Sequence, residues 1–422
     1  MSSEPKKLWV ALLVTLLASM GISLPYPVLT PLFIDASISA LNSWNGFSST
    51  TLFTAIIAIY PLGIFIGSSF IGALSDRYGR KRVLAQTLLI CFVGYLVSAY
   101  ALVIENYPLL LISRFLTGIT EGNISIARAI ALDIGESSDE KQGMTKVRAV
   151  SLINSAVFLG WLIGPLVGGI LADMMPYFAM LAAAVGALVC LLLVQIWLQE
   201  TLNNIKVKEN RSIWHSVIKE NSLQLIRDPW VARLFTMYLL YTLAINLFYE
   251  FYPVWLVDKQ DYGSLGIGLA TTNMTVFMTL TSIFIVTRVQ RRFGLILPMT
   301  NIMWLLAIAM VLVPYSFGLS THILFAITGI VIAIFNGLLP VYLSERQQNK
   351  GNGAIMGLMT MTFCIANVFA ALIGGALLEF SSELPMFVSS VFFLMGLLLF
   401  YLWFAKPERL VRTSDTLQKS SD

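Results

Sequence analysis

Two stretches of this chain, residues 49–71 and 83–103, contain no charged side chain, yet the short segment between them places five charges in the seven positions from Asp76 to Arg82. At about 1.5 Å of rise per residue, each run is long enough as a helix to cross a hydrocarbon core of about 30 Å. The segment Gly72-Ala73-Leu74-Ser75-Asp76-Arg77-Tyr78-Gly79-Arg80-Lys81-Arg82 therefore reads as a charged turn at a membrane surface. Comparable runs recur along the chain, which is 57% hydrophobic and 12% charged. A soluble domain of that composition would be apolar over its whole surface. In lipid the backbone must satisfy its own hydrogen bonds, which leaves helices or a closed barrel. The runs show no alternation of period two, so helices are chosen. The expected fold class is an all-α polytopic membrane protein.

The apolar runs mark twelve helices, at 8–33, 49–71, 83–103, 107–133, 147–173, 177–198, 232–257, 265–287, 294–316, 321–344, 354–379 and 384–405. The first is too long for the apolar core of a cleaved signal and is expected to remain as a span. Cys91, Cys190 and Cys364 all lie inside apolar runs without metal-ligand spacing and read as small core residues. Twelve spans put both termini on one side. Of the 27 lysines and arginines only Lys259 then faces outward, Arg114 and Arg128 fall in the fourth segment, and the rest face the cytoplasm. Both termini are expected there, in a cytoplasmic inner membrane.

The longest polar connection, residues 199–231, separates a first bundle (1–198) from a second (232–405), with a tail at 406–422. Its basic residues fit a solvated inside-facing loop. Cutting there exposes a repeat: Asp76-Arg77-Tyr78-Gly79 aligns with Arg291-Arg292-Phe293-Gly294, Thr117-Gly118 with Thr328-Gly329, and Leu166-Val167-Gly168-Gly169 with Leu372-Ile373-Gly374-Gly375. Two pseudo-symmetric six-helix bundles follow.

With these residues in view, the chain resembles the major facilitator superfamily, and within it the twelve-helix drug:proton antiporters. Gly72, Leu74, Asp76, Arg77, Gly79, Arg80, Lys81 and Arg82 match the family's signature between its second and third helices. The resemblance implies a transporter rather than an enzyme, with a small organic substrate and protons as its partners. Physically, Gly72 permits close helix approach, Gly79 permits a reversal at positive φ, and Asp76 can meet a helix N-terminus or an arginine. Gly72, Asp76, Arg77, Gly79 and Arg80 are candidates for a cytoplasmic gate. Anchoring by positive charge alone is the alternative, and it is favoured for Lys81 and Arg82.

In the fourth segment Arg114, Glu121 and Arg128 recur every seven residues and share one helix face. Charges at membrane depth are costly, about 2.5–3.5 kcal/mol each on insertion scales, and are usually functional. Seven residues span about 10 Å along the axis, so partners must come from other helices or a wet cavity. A carboxyl caught between desolvation and a nearby arginine can exchange a proton as a cavity opens and closes. Arg114 and Glu121 are therefore the candidate proton-coupling pair, against a purely structural buried pair, and the family resemblance implicates an arginine at the Arg114 position in proton transfer. Arg128, with Asp133 five residues on, is placed with the gate.

The fifth segment carries Gly160-x-x-x-Gly164-Pro165-x-x-Gly168-Gly169, matching a signature of antiporters in the superfamily. Small residues at spacing four allow close contact, and Pro165 bends the helix, which suggests a pivot. Ordinary small-residue packing remains the alternative. In the second half Ala370-Ala371 replaces Gly164-Pro165, while Phe325, Ile332 and Leu339 stand where Arg114, Glu121 and Arg128 would be. A substrate cavity is expected from Tyr26, Trp161, Tyr241, Phe248, Asn246 and Met359, with core or lipid-facing packing as the alternative for the aromatic and methionine side chains, and Glu250, near the outer end of the seventh helix, is a candidate substrate or proton site against a snorkelling interfacial carboxylate. Helix one, unlike that of some drug antiporters, has no acid before Asp35.

No phosphate-binding loop, metal constellation or nucleophile accompanies these residues. The energy source is therefore expected to be a proton gradient, with no cofactor, no metal, no nucleic-acid partner and a monomeric state. The expected function is proton-coupled export of a small amphipathic organic compound. Export of an endogenous product such as a siderophore or metabolite, and proton-coupled uptake, remain as alternatives.

Overall fold

The computed structural model describes residues 3–34, 39–121, 126, 127, 130, 146–200, 226–346 and 352–405. All regular structure among them is helical. Eleven stretches among the described residues are long and apolar enough to cross a membrane, and Tyr107–Thr120 adds a shorter apolar helix. The chain is a multi-pass membrane protein. Chain contacts divide it into two units, Met1–Asn221 with Leu256–Thr275, and Ser222–Trp255 with Val276–Asp422. Most of the expected 199–231 linker, and the tail at 406–422, lie outside the described residues.

The first unit holds α1 (Ser3–Ser23), α2 (Tyr26–Ile34), α3 (Ser49–Tyr78), α4 (Arg80–Val103), α5 (Tyr107–Thr120), α6 (Lys146–Met174) and α7 (Pro176–Trp197). The expected first helix, 8–33, is broken at Leu24-Pro25 into α1 and α2. Pro25 has no N–H, and its ring clashes with the carbonyl one turn earlier. Polar side chains set the starts of α3 and α5: Ser48 accepts from the Thr51 N–H, and Asn106 from the Leu109 N–H. Of the expected fourth helix, 107–133, continuous helix is described to Thr120, with Glu121 as its C-cap.

Helix association in lipid draws little on the hydrophobic effect, so close backbone approach matters more. In this unit α1 packs on α6 and α7, α3 on α5, and α4 on α5 and α7. Val14 of α1, Leu84 and Leu88 of α4, Ile153 of α6 and Val194 of α7 share one apolar core. One close approach joins α1 to α6: a Cβ at Gly160 would meet Ser19 and the Leu16 carbonyl, one at Gly164 the Ser23 hydroxyl, and one at Gly168 the Leu24 carbonyl. The break in the first span thus rests on the glycine face of α6.

The charged turn is tighter than its composition suggests. Asp76, Arg77 and Tyr78 are still helical in α3, and α4 begins at Arg80, so the reversal falls on Gly79 alone, at φ 97°. No residue with a Cβ takes that conformation readily.

The second unit is built from α8 (Pro229–Gln260) through Trp255, α9 (Ser264–Phe284) from Val276, α10 (Val286–Phe293), α11 (Ile296–Leu312), α12 (Leu319–Arg346), α13 (Asn352–Leu378) and α14 (Leu384–Phe400). The expected eighth helix, 265–287, ends earlier, at Phe284, and the polar helix α10 follows after Ile285. Gly294 ends α10 at φ 72°, the counterpart of Gly79 in the repeat.

Candidate functional site

Arg114 and Glu121, the two charges that spacing singles out, are both buried, at 5% and 6% exposure. Arg114 projects from α5 and lays its guanidinium over the ring of Tyr60 of α3, 4.1 Å from the centroid. Cation–π contact of this kind contributes about 2 kcal/mol when desolvated. Its Nε and Nη1 atoms have no hydrogen-bond partner. No ion pair joins Arg114 to Glu121, as the rise between them along the helix requires.

The partners of Glu121 come from other helices. Its Oε1 accepts a hydrogen bond of 3.1 Å from the Tyr95 hydroxyl of α4 and has the Cys91 thiol 3.8 Å away. Its Oε2 has no hydrogen-bond partner. Tyr60 faces the same carboxyl as well as Arg114. The Tyr95 hydroxyl has a second acceptor, the Gly21 carbonyl of α1, at 2.9 Å. A carboxyl with one bonded and one open oxygen, enclosed with a fixed cation nearby, can hold or release a proton without rebuilding its surroundings.

Glu121 and Arg114 were legible from their spacing, whereas Tyr95, Tyr60 and Cys91 were not. One signal pointed to Tyr95 indirectly. Pro25 stands four residues after Gly21 and so removes the N–H that the Gly21 carbonyl would otherwise receive in a helix. An orphaned carbonyl at that depth demands a side-chain donor.

At the signature turn, Glu200 provides a partner that the sequence reading missed. Its carboxylate accepts from the first N–H groups of α4, Arg80 at 2.9 Å and Lys81 at 3.2 Å, a position favoured by the helix dipole. The Arg80 guanidinium donates to Ser75, and the Lys81 ammonium to the Gln195 carbonyl. Arg77 lies over the ring of Tyr78. These contacts tie the turn to the end of α7. Gly72 lies within α3, and the Asp76 side chain, Arg128 and Asp133 lie outside what is described.

The pivot residues of α6 meet two partners. Gly160, Gly164 and Gly168 receive α1, while Gly169 and the Pro165 carbonyl approach the start of α9 at Ser264 and Gly268. Ser23 also donates to the Gly160 carbonyl at 3.3 Å.

The expected cavity residues divide between the units. Tyr26 and Trp161, in the first, are half-buried. In the second, Met359 is half-buried, and Tyr241 is packed rather than open: its ring stacks on Phe335 at 3.9 Å and its hydroxyl bonds Asn336 at 3.0 Å. Asn246 donates to the Phe363 carbonyl at 3.4 Å. Glu250 is buried, and neither of its carboxyl oxygens has a hydrogen-bond partner. Phe248 packs with Tyr252 and Phe325.

A sequence profile of the Major Facilitator Superfamily matches residues 11–371. The class B tetracycline resistance protein of Escherichia coli is 30% identical over 194 residues, which cover 46% of this chain and 44% of that protein, under half of its length. Multidrug resistance protein 1 of Bacillus subtilis strain 168 is 24% identical over 417 residues, covering 95% of this chain and 97% of that protein. The fold matches that of the xylose transporter XylE from E. coli with a TM-score of 0.70 at 16% identity, over 96% of this chain and 99% of the other.

Proposed function

The chain belongs to the Major Facilitator Superfamily, and on that premise we propose that it is a proton-coupled secondary transporter that exports a small amphipathic organic compound by alternating access. The observation that carries this reading is the Glu121 carboxyl, buried at 6% exposure with one oxygen bonded by Tyr95 and the other unbonded. Arg114, with the same degree of enclosure and no carboxylate partner of its own, supplies the fixed positive charge that makes the carboxylate tolerable between proton arrivals. The drug-resistance names of the relatives favour export over uptake.

In this mechanism a proton enters from outside, resides on Glu121 while the substrate is released outward, and leaves to the cytoplasm. One proton moving down one pH unit and 100 mV releases about 3.7 kcal/mol, enough to sustain a substrate ratio of roughly 500-fold. The protein then works in the inner membrane as a monomer, with both termini cytoplasmic and no bound cofactor. Gly72, Asp76, Arg77, Gly79, Arg80, Arg128 and Asp133 serve as its cytoplasmic gate.

Inverted membrane vesicles test this with a panel that includes tetracycline, a quinolone and neutral amphipathic compounds, with the pH gradient imposed or collapsed. The wild type should accumulate at least one compound only while the gradient stands. Glu121→Gln should lose that accumulation and keep gradient-independent exchange. Accumulation by Glu121→Gln at the wild-type level would remove Glu121 from the proton path.

A further inference from the structure

We propose that Tyr95 is a positioning residue that couples the protonation of Glu121 to the break in the first membrane span. The inference rests on Glu121 being the proton site and extends it to the question of what moves when the proton arrives. Its basis is a count of donors and acceptors at one buried hydroxyl. Tyr95 is buried and has one O–H, but two acceptors stand within reach, the Gly21 carbonyl at 2.9 Å and Glu121 Oε1 at 3.1 Å.

The Gly21 carbonyl has no backbone alternative, whereas Glu121 Oε1 also has the Cys91 thiol, a weaker donor, at 3.8 Å. Pro25 occupies the position whose N–H would serve the Gly21 carbonyl, and proline has none. Around Glu121, the facing groups are Tyr60 from α3, Cys91 and Tyr95 from α4, Arg114 from α5 and, farther off, Cys190 from α7. Phenols and thiols as side-chain types ordinarily keep their protons near neutral pH, and a guanidinium keeps its charge. Within this cluster Glu121 is left as the group that changes charge.

The count closes in one protonation state and fails in the other. When Glu121 holds a proton on Oε1, the acid donates to the Tyr95 oxygen and Tyr95 donates to Gly21, so the one hydroxyl serves both neighbours. When the proton leaves, the carboxylate is the stronger acceptor and draws the Tyr95 O–H toward itself. The Gly21 carbonyl is then orphaned inside the protein, which is unfavourable by about a factor of ten or more in the local equilibrium. The transferred proton goes to or from Glu121 alone, and Tyr95 keeps its own throughout.

What this releases is the hinge between α1 and α2. The adjoining residues Ser19, Ser23 and Leu24 are the ones seated against Gly160, Gly164 and Gly168 of α6, with Ser23 bonded to the Gly160 carbonyl. A loosening at Gly21 is therefore delivered to the helix that carries the pivot glycines. Proton binding closes the break, and proton loss opens it.

Backbone hydrogen–deuterium exchange of the purified full-length protein tests this without a substrate. The amides of Ser23, Leu24, Tyr26 and Val28 are followed at mildly acidic and mildly alkaline pH, corrected for intrinsic rates. In the wild type their protection should fall about tenfold on going alkaline. Tyr95→Phe should be weakly protected at both pH values. Glu121→Gln, which keeps a donor for Tyr95, should be protected at both, as should Pro25→Ala, which restores the missing N–H. A wild-type pH dependence surviving in Tyr95→Phe or in Pro25→Ala would overturn the proposal while leaving Glu121 as the proton site. A wild-type pH dependence in Glu121→Gln, together with intact gradient-driven transport, would overturn both.

Discussion

Arg114 and Glu121 in the first unit correspond through the internal repeat to Phe325 and Ile332 in the second, and the surroundings of the two pairs differ in kind. Around the first stand hydroxyls, a thiol and an aromatic face turned to a guanidinium. Phe325 instead packs edge-on against Phe248 and Tyr252, and Ile332 is wholly buried. The second unit does hold one buried acid, Glu250, with the same 6% exposure as Glu121. Yet Glu250 has no hydrogen bond at either oxygen, and no described charged group faces it. Burial is therefore shared by both acids, whereas a set of partners able to serve two protonation states belongs to Glu121 alone. The two regions thus differ in kind: the first unit encloses a polar cluster around a buried acid, and the second packs aromatic and aliphatic side chains at the corresponding positions.

The largest test of that difference is Glu121→Gln, which should bring a gradient-driven substrate ratio of up to roughly 500-fold down to about unity in vesicles. Next comes the seam on which the hinge rests. Gly164→Ala forces a methyl group into Ser23 and should lower stability by about 1–3 kcal/mol, read as an earlier thermal transition. The corresponding second-half change, Ala370→Gly, inserts no atom and should shift the transition by no more than the helix-propensity difference of about 1 kcal/mol. Arg114→Lys keeps the charge but loses the planar stack on Tyr60, and turnover should drop about tenfold with the fold intact. The smallest effect belongs to Glu250→Gln, an isosteric change at a carboxyl with no hydrogen bond to lose, for which transport of a neutral substrate should stay within about twofold. A loss at Glu250 as deep as that at Glu121 would break the comparison.

Much of the architecture could be read from charge placement, because lipid forbids long charged or unpaired segments and so punctuates the chain. The runs flanking Asp76–Arg82 and the seven-residue spacing of Arg114 and Glu121 are of this kind. Other features depended on rotation of helices that are apolar on every side. Nothing in residues 83–103 marks Tyr95 as facing inward, since a tyrosine there could equally point to lipid. For the same reason Tyr241, expected to line a cavity, is stacked on Phe335. Glu200 escaped notice because its role arises from a meeting of the ends of α4 and α7, far apart in sequence. Continuity was also misjudged at Leu24-Pro25 and at Ile285, where apolar runs concealed breaks, and at Asp76–Tyr78, where charge concealed a helix.

The central claim is that Glu121 is the group of the polar cluster that takes up and releases the proton. Infrared difference spectroscopy of the purified protein between mildly alkaline and mildly acidic pH measures this directly, through the carbonyl stretch of protonated carboxylic acids. That band should appear in the wild type, vanish in Glu121→Gln and persist in Glu250→Gln. A band that persists unchanged in Glu121→Gln would contradict the account.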